Sequence, residues 1–330
     1  MEYRILGSTG LSVSTVAFGA GPVAQLLVGT DQSHQRATIR AAIEAGINWF
    51  DTAATYGDGR SEENLGRVLG ELGAEGKVHV ATKVRLLPNQ LIAVGRHVRE
   101  SVLASLRRLR LERITLLQIH NSITADAAAQ PTSITPSHVL SAGGMLEEMD
   151  RLRQQGLVAH LGLTGLGEPE ALSKVIDTGE FQTIQIPYHV LNPSAGREIP
   201  EGFAETNHGN LITRCSQRSM GVFAIRVFAG GALLGQPPSP HTYKTPFFPL
   251  ELYERDCRRA EGFRKLLPPG IAPQEAAVRF AISHPGVTSA IVGLASQTEV
   301  ADAVRFSSAG RLDGKLLATL NEWSIASTLQ

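Results

Sequence analysis

The feature that most restricts the fold is an alternation. Short apolar runs and amphipathic helical stretches follow one another along all 330 residues, with no Pro/Ser-rich linker and no shift in composition between them. The runs are Thr15–Gly19, Asn48–Asp51, Val78–Thr82, Ile114–Ile119, Ala159–Leu163, Thr183–Ile186, Gly221–Ile225 and Ser289–Val292. Helical spacing fills the intervals at 33–45, 61–71, 91–110, 142–155, 168–177, 207–219, 250–266 and 273–283, and again at 296–307 and 312–322. Residues 3–13 read as a hairpin around Gly7-Ser8-Thr9-Gly10. About eight strand–helix units in a chain of this length favour one closed α/β barrel. The expectation is a single (β/α)8 TIM barrel over 1–330, with an N-terminal β-hairpin and extra C-terminal helices.

A doubly wound sheet is the competitor. Gly19-Ala20-Gly21-Pro22-Val23-Ala24 fits the GxGxxA dinucleotide fingerprint after a strand. Its context fails, because Pro22 and Leu26-Leu27-Val28-Gly29 open no long helix and no strand ends in an acid at the expected distance.

Basic and acidic residues balance at 31 each, which gives no basic face for nucleic acid and no polybasic membrane segment. No apolar run approaches the roughly 20 residues a bilayer requires. The start, Met1-Glu2-Tyr3-Arg4, lacks the order of a signal peptide, and Cys215 and Cys257 form no disulfide framework. A cytoplasmic protein without a membrane or nucleic-acid partner is expected. No HExxH or clustered Cys/His pattern suggests a metal.

In a barrel of parallel strands, chemistry sits at the C-terminal rim. Asp51, Lys83 and His120 stand at the ends of the second, third and fourth strands, and Tyr56 on the loop after the second. Taken singly, each has a bland reading: a solvated strand-end charge, a packing tyrosine, a hydrogen-bonded loop histidine. Together they form a proton-transfer device. A tyrosine is a poor acid–base group at neutral pH, but a nearby ammonium favours the phenolate. A carboxylate keeps that ammonium charged and oriented, and a histidine can fix a carbonyl oxygen.

These residues lie in segments that resemble the aldo-keto reductase family. The resemblance begins at Leu6–Ser14, is densest at Ala45–Gly57, and continues through Ser61-Glu62, Leu65-Gly66, Ala81-Thr82-Lys83, Leu117–His120 and Val292-Gly293. It implies a nicotinamide cofactor extended across the rim, without a Rossmann domain. Tyr56 would be the general acid–base, Lys83 its tuner, Asp51 the lysine's partner and His120 the substrate-orienting group. Leu161–Leu166 and Val292–Ser296 are similar to the NAD-linked galactose and aldose dehydrogenase branch.

The resemblance also implies cofactor contacts. Gln185 matches the glutamine that holds the nicotinamide carboxamide. Thr164-Gly165 replaces the usual Ser-Asn, and Ile225, followed by Arg226, stands where an aromatic residue often covers the ring. Phe228, Gly230, Gly231 and Leu233 fall in the loop that cradles the pyrophosphate, with a flexible Gly-rich lid as the alternative. Gly19 and Asp51 on the near side, and Gly293, Ser296 and Glu299 after the last strand, complete the expected contacts. NADP-preferring members carry Arg or Lys in that last segment, whereas this chain has Ala295 and the acid Glu299. NAD is therefore expected, with NADP as the alternative. Glu299 as a solvated first-turn acid, or Arg305 reaching in, would weaken that reading.

Loops 121–141, 189–210 and 229–248 should select the substrate, a small carbonyl, alcohol or sugar, through His138, His189, His208, His241, Tyr243, Phe247 and Phe248. A second reading is a nicotinamide-binding redox sensor that acts through a protein partner, like channel-associated members of the family.

Overall fold

The computed structural model describes residues 1–245 and 248–328. Two antiparallel strands, β1 (Tyr3–Ile5) and β2 (Ser12–Ser14), form the expected hairpin across a 3-10 turn at Gly7–Thr9. Eight parallel strands follow: β3 (Val16–Gly19), β4 (Trp49–Asp51), β5 (His79–Val84), β6 (Ile114–Ile119), β7 (Val158–Thr164), β8 (Thr183–Pro187), β9 (Gly221–Ile225) and β10 (Ser289–Gly293). They close in that order, with β10 paired to β3. The (β/α)8 expectation holds.

Period-two alternation along the strands separates two apolar layers. Phe18, Phe50, Val80, Leu117, Leu161, Ile184, Val222 and Val292 face outward into the helical layer. Ala17, Trp49, Ala81, Leu116, Phe223 and Ile291 fill the barrel interior, and Leu6 and Val13 of the hairpin plug it from below. Asn48 fixes that plug, accepting from Ser14 N at 2.9 Å and donating to Ser12 O at 2.9 Å.

The helices α1 (Gln32–Glu44), α2 (Arg60–Glu71) and α3 (Val94–Leu109) follow β3, β4 and β5. Next come α4 (Pro136–Leu140) and α5 (Met145–Gln154) after β6, then α6 (Pro169–Ile176) and α7 (Leu211–Gln217). The helices α8 (Leu250–Lys265) and α9 (Pro273–Ser283) precede β10, and α10 (Gln297–Ser308) and α11 (Gly314–Ala326) follow it. Gly66 permits the close packing of α2 on α3, since a Cβ there would lie 2.4 Å from Leu109 O.

Several boundaries differ from the periodicity. The helix read over 91–110 is preceded by a 3-10 segment, Pro88–Ala93, and breaks at Ala93 (φ −145°, ψ 54°). The helix read over 207–219 shrinks to α7, because Asn210 has φ 50° and His208 N and Asn210 N bond back to Ser194. Loop 121–141 contains α4, and loop 229–249 opens with a 3-10 turn at Ala229–Leu234. Phe247 lies outside the described residues. After Gly19 the chain stays irregular as far as Asp31, whose carboxylate caps α1 by accepting from His34 N at 3.0 Å. A nucleotide-binding helix does not follow the Gly19–Ala24 motif. No helix among the described residues is long and apolar enough to cross a membrane.

Candidate active site

The inward positions above Trp49, Ala81 and Leu116 are two residues further along their strands: Asp51, Lys83 and Gln118. By the same step Thr183 leads to Gln185 and Phe223 to Ile225. Four of these five positions are polar, with Ile225 the exception, so the barrel interior ends in a largely polar layer.

Asp51 is its hub. One oxygen accepts from the Lys83 ammonium, and the other accepts from Gln118 Nε2 at 3.1 Å and from the Gln185 side-chain amide. Lys83 also donates to Thr52 O at 2.8 Å and approaches the Tyr56 hydroxyl at 3.4 Å. Its side chain is 1% exposed. Burial works against the lysine charge, but Asp51 and then Tyr56 outweigh it, so its pKa is raised.

Tyr56 is held from behind. Ser61 Oγ donates to Ala20 O at 2.9 Å and pairs with Thr52 Oγ1 at 2.8 Å, tying the Tyr56 loop to both flanking segments. His120 follows β6 directly, and its N donates to Val84 O at 2.8 Å. Its ring meets that of Tyr56 edge-on, with centroids 5.7 Å apart. Burial first, then Lys83 and Arg85, push its pKa well below 6.5, so the ring is neutral. The structure thus brings Asp51, Tyr56, Lys83 and His120 together.

Three further residues belong to this group and have no counterpart among the sequence candidates. Gln118 braces Asp51, and strand alternation marks it as an inward polar residue above Leu116. Glu62 lies in the first turn of α2, within the Ser61-Glu62 segment of the resemblance. It is wholly buried, accepting from Thr82 Oγ1 at 2.5 Å and from Arg108 Nε at 2.7 Å, so it pins β5 beside Lys83. Arg85 lies two residues beyond Lys83, where Tyr56 is the group that supports its charge.

The expected cofactor positions run around the rim from β7 to β10 and on to β3 beside Asp51. Gly19 faces β10 so closely that a Cβ would lie 3.0 Å from Val292 O. Thr164 donates its hydroxyl to Ile119 O at 3.1 Å. Gly165 leaves little room for a larger residue, because a Cβ would lie 3.0 Å from Ile186 Cγ1. Ile225 packs on the interior cluster. Arg226 stacks its guanidinium on Phe248 at 3.5 Å. Burial pulls its pKa down to about 10 against the opposing pull of Asp256. Phe228 packs against the core, Leu233 is buried in it, and Gly230 and Gly231 turn with φ 71° and 107°. Gly293 pairs with Gly19 across the barrel seam. Ser296 caps α10 by accepting from Glu299 N at 3.2 Å, while Glu299 accepts from Ala295 N at 2.6 Å. Both bonds hold the first turn of α10.

The substrate loops divide. His189, His208, Phe248 and Arg226 line a cavity of about 220 Å³ together with Gln130 and Asp256. Burial and then Arg226 depress both histidines, His208 to about 4, so both are neutral. His138 is spent on a cap, where its Nδ1 accepts from Thr135 N at 3.1 Å. Tyr243 is 63% exposed.

Comparison with known proteins agrees with this geometry. The sequence model of the aldo/keto reductase family matches residues 15–325. An L-galactose dehydrogenase from Arabidopsis thaliana is 27% identical over 306 residues, covering 92% of this chain and 87% of the relative. A probable voltage-gated potassium channel subunit beta from the same plant is 24% identical over 321 residues, covering 92% and 90%. Among solved structures, the holo form of an aldo-keto reductase from Bacillus halodurans has the same fold. Its TM-score is 0.74 at 21% identity, with 98% of this chain and 96% of that chain covered. With a match running from the first barrel strand into the last helix, the chain belongs to the aldo/keto reductase family.

Proposed function

We propose that the protein is an NAD(P)-dependent oxidoreductase that transfers hydride between nicotinamide and an aldehyde, ketone, alcohol or aldose, with Tyr56 as general acid–base. Family membership supports the oxidoreductase class. One observation carries the residue-level reading: the Tyr56 hydroxyl stands 3.4 Å from a buried ammonium that Asp51 and Thr52 O hold in place.

The donor set of the far rim suits a dinucleotide. Ala229, Gly230 and Gly231 take successive positive φ values of 49°, 71° and 107°; Ala229 N and Gly231 N donate to Arg226 O and Phe228 O within the turn, which leaves Gly230 N for an anion. The Arg226 guanidinium lies beside it, 3.5 Å from where a Gly230 Cβ would be. Arg226 and Phe228–Leu233 would hold the phosphates, and Gln185 the carboxamide. When bound, the nicotinamide gives or takes the hydride.

The chain's own residues manage the proton. Tyr56 donates it to the substrate oxygen in reduction and accepts it in oxidation. Lys83 stabilises the phenolate oxygen, and Asp51 keeps the ammonium aimed. His120, being neutral, offers the carbonyl oxygen an N–H rather than a charge.

NAD is the proposed cofactor, since Ala295 supplies no cation for a 2′-phosphate and Glu299 places a carboxylate there. The likeness to L-galactose dehydrogenase adds aldoses to the proposed substrates. The likeness to a potassium channel subunit keeps a second reading, a nicotinamide-binding regulatory subunit. Steady-state turnover of an aldehyde panel with NADH and NADPH, and of free aldoses with NAD and NADP, separates the two. Tight cofactor binding with no turnover of any substrate would reject the enzyme.

A further inference from the structure

Strand alternation puts Lys83 and Arg85 on one side of β5. Lys83 is inside the barrel; Arg85 is one pleat higher, past the last rung, where Val84 pairs with Ile119. His120 N donates to Val84 O, so Arg85 stands beside His120 over the barrel mouth. The backbone beyond it is locked: Leu86 N donates to Asn121 Oδ1 at 2.9 Å, and Asn121 Nδ2 donates to Leu86 O at 2.8 Å. The side chain is half-buried, and its Nε is sealed from solvent with no hydrogen-bond partner among the described residues.

Several other half-buried arginines are paired with an acid. Arg99 bonds Glu148, Arg108 bonds Glu62, Arg259 bonds Glu205 and Arg279 bonds Glu275. Arg226 has Phe248 beneath it and Asp256 within its field. For Arg85 the support comes from Tyr56, and no acid among the described residues pairs with it. A half-buried guanidinium with one nitrogen sealed from water and no anion beside it calls for a partner.

The barrel order places that partner. From β5 to β9 is half-way around the barrel, so Arg85 faces Arg226 and the Ala229–Gly231 turn from the opposite rim. His241 lies in the field of both arginines. The dinucleotide phosphates belong at the far rim under the proposed function, leaving the near rim to the substrate.

We propose that Arg85 anchors an anionic group, a carboxylate or a phosphate, on the substrate that Tyr56 and His120 handle. The proposal rests on the oxidoreductase reading above and narrows its substrate class. Arg85 is here a specificity residue; it binds the end of the substrate remote from the reacting carbon.

The test pairs charged and neutral aldehydes: 4-oxobutanoate against butanal for a carboxylate, and glyceraldehyde 3-phosphate against glyceraldehyde for a phosphate. The wild type should prefer one charged member, and Arg85→Gln should lower kcat/KM for it by about 10- to 100-fold, mainly through KM. The charged-to-neutral ratio of kcat/KM should fall by that factor even where Arg85→Gln also slows the neutral partner through Tyr56 and His120, and Arg85→Lys should recover part of the ratio. An equal loss on charged and neutral aldehydes, or no wild-type preference in either pair, would overturn the proposal. Calorimetric titration of glutarate and of inorganic phosphate into the cofactor-loaded protein supplies a readout without turnover. Binding by the wild type that disappears in a folded Arg85→Gln supports the anchor, and binding unchanged by the substitution refutes it. Should the wild type turn over no aldehyde, the oxidoreductase reading fails, while the titration still decides Arg85.

Discussion

The Asp51–Lys83 pair offers the sharpest test of how this barrel mouth is built. Asp51→Asn keeps the shape of the side chain and removes its charge. Lys83 would then sit 1% exposed without a counter-ion, and a broken buried pair costs about 3–5 kcal/mol. Asp51 also accepts from Gln118 and Gln185, and an amide with one acceptor oxygen strands a donor, adding about 1 kcal/mol. Lys83→Met leaves the carboxylate with its two glutamine donors, so its cost should fall at the lower end of the range. The double substitution removes both charges and should cost well under the sum, with a coupling of about 2–3 kcal/mol. Urea unfolding near neutral pH, with midpoint and slope fitted separately, gives the cycle. A pH series adds a sign. In Asp51→Asn the burial that opposes the Lys83 charge is no longer outweighed, so the folded lysine pKa drops below the unfolded one. The unfolded chain then binds more protons, and the deficit should shrink as pH rises towards the unfolded lysine pKa, about 10.4. Additivity within about 0.5 kcal/mol would refute the hub.

Tyr56→Phe should reduce kcat/KM by about 10²- to 10⁴-fold while the cofactor Kd, read by nicotinamide fluorescence, stays within a few-fold; a matching loss of binding would make Tyr56 structural. Glu299→Arg should raise the preference for NADP over NAD in a paired titration, while loss of its bond to Ala295 N costs about 1 kcal/mol of stability; an unchanged ratio removes Glu299 from cofactor choice. Burial first, with Glu205 second, raises Asp256 to about 6, so the folded protein keeps a proton that the unfolded chain releases. Wild-type stability contributed by this group therefore falls as pH rises from about 4 to about 6, and Asp256→Asn should gain about 2 kcal/mol on the wild type between about pH 4.5 and 7.5. A pH-independent difference between the two unfolding curves would show that Asp256 is already ionised at low pH.

The barrel was legible because each strand is buried on both faces and each helix on one, so apolar runs and 3.6-residue spacing marked the elements directly. Where tertiary bonds override local pattern, the sequence misled. Residues 207–210 have helical spacing, yet Ser194 captures their backbone. Four of the residues gathered at the mouth were visible because strand-end and loop positions expose unusual types. Gln118 was not, since it lies one residue before an apolar strand end and alternation has to be followed to see that it points inward. Glu62 was hidden for another reason. An acid in the first turn of a helix has a sufficient local explanation, and its bonds to Thr82 and Arg108 come from segments far along the chain. Glu299 was read against a solvated first-turn acid; its bond to Ala295 N beside the Ser296 cap is a local use that ribose recognition would have to add to.

The two halves of the rim are joined through one carboxylate. Asp51 divides its oxygens, one for Lys83 and the other for Gln118 and Gln185. Gln185 comes from β8, four strands from β4 in the closed order, so the bond spans the barrel interior. Any ligand that takes the Gln185 amide nitrogen must compete with Asp51, and success leaves that oxygen with one amide donor instead of two. A less solvated carboxylate binds its remaining cation more strongly. Occupying the far rim would therefore tighten the Asp51 hold on Lys83, the ammonium beside the Tyr56 hydroxyl. Gln185→Leu isolates this link, because it removes the competitor without touching Lys83 or Tyr56. If the link is real, the substitution shifts the pH profile of turnover as well as cofactor affinity; a change in affinity alone would mean that the two rims act independently.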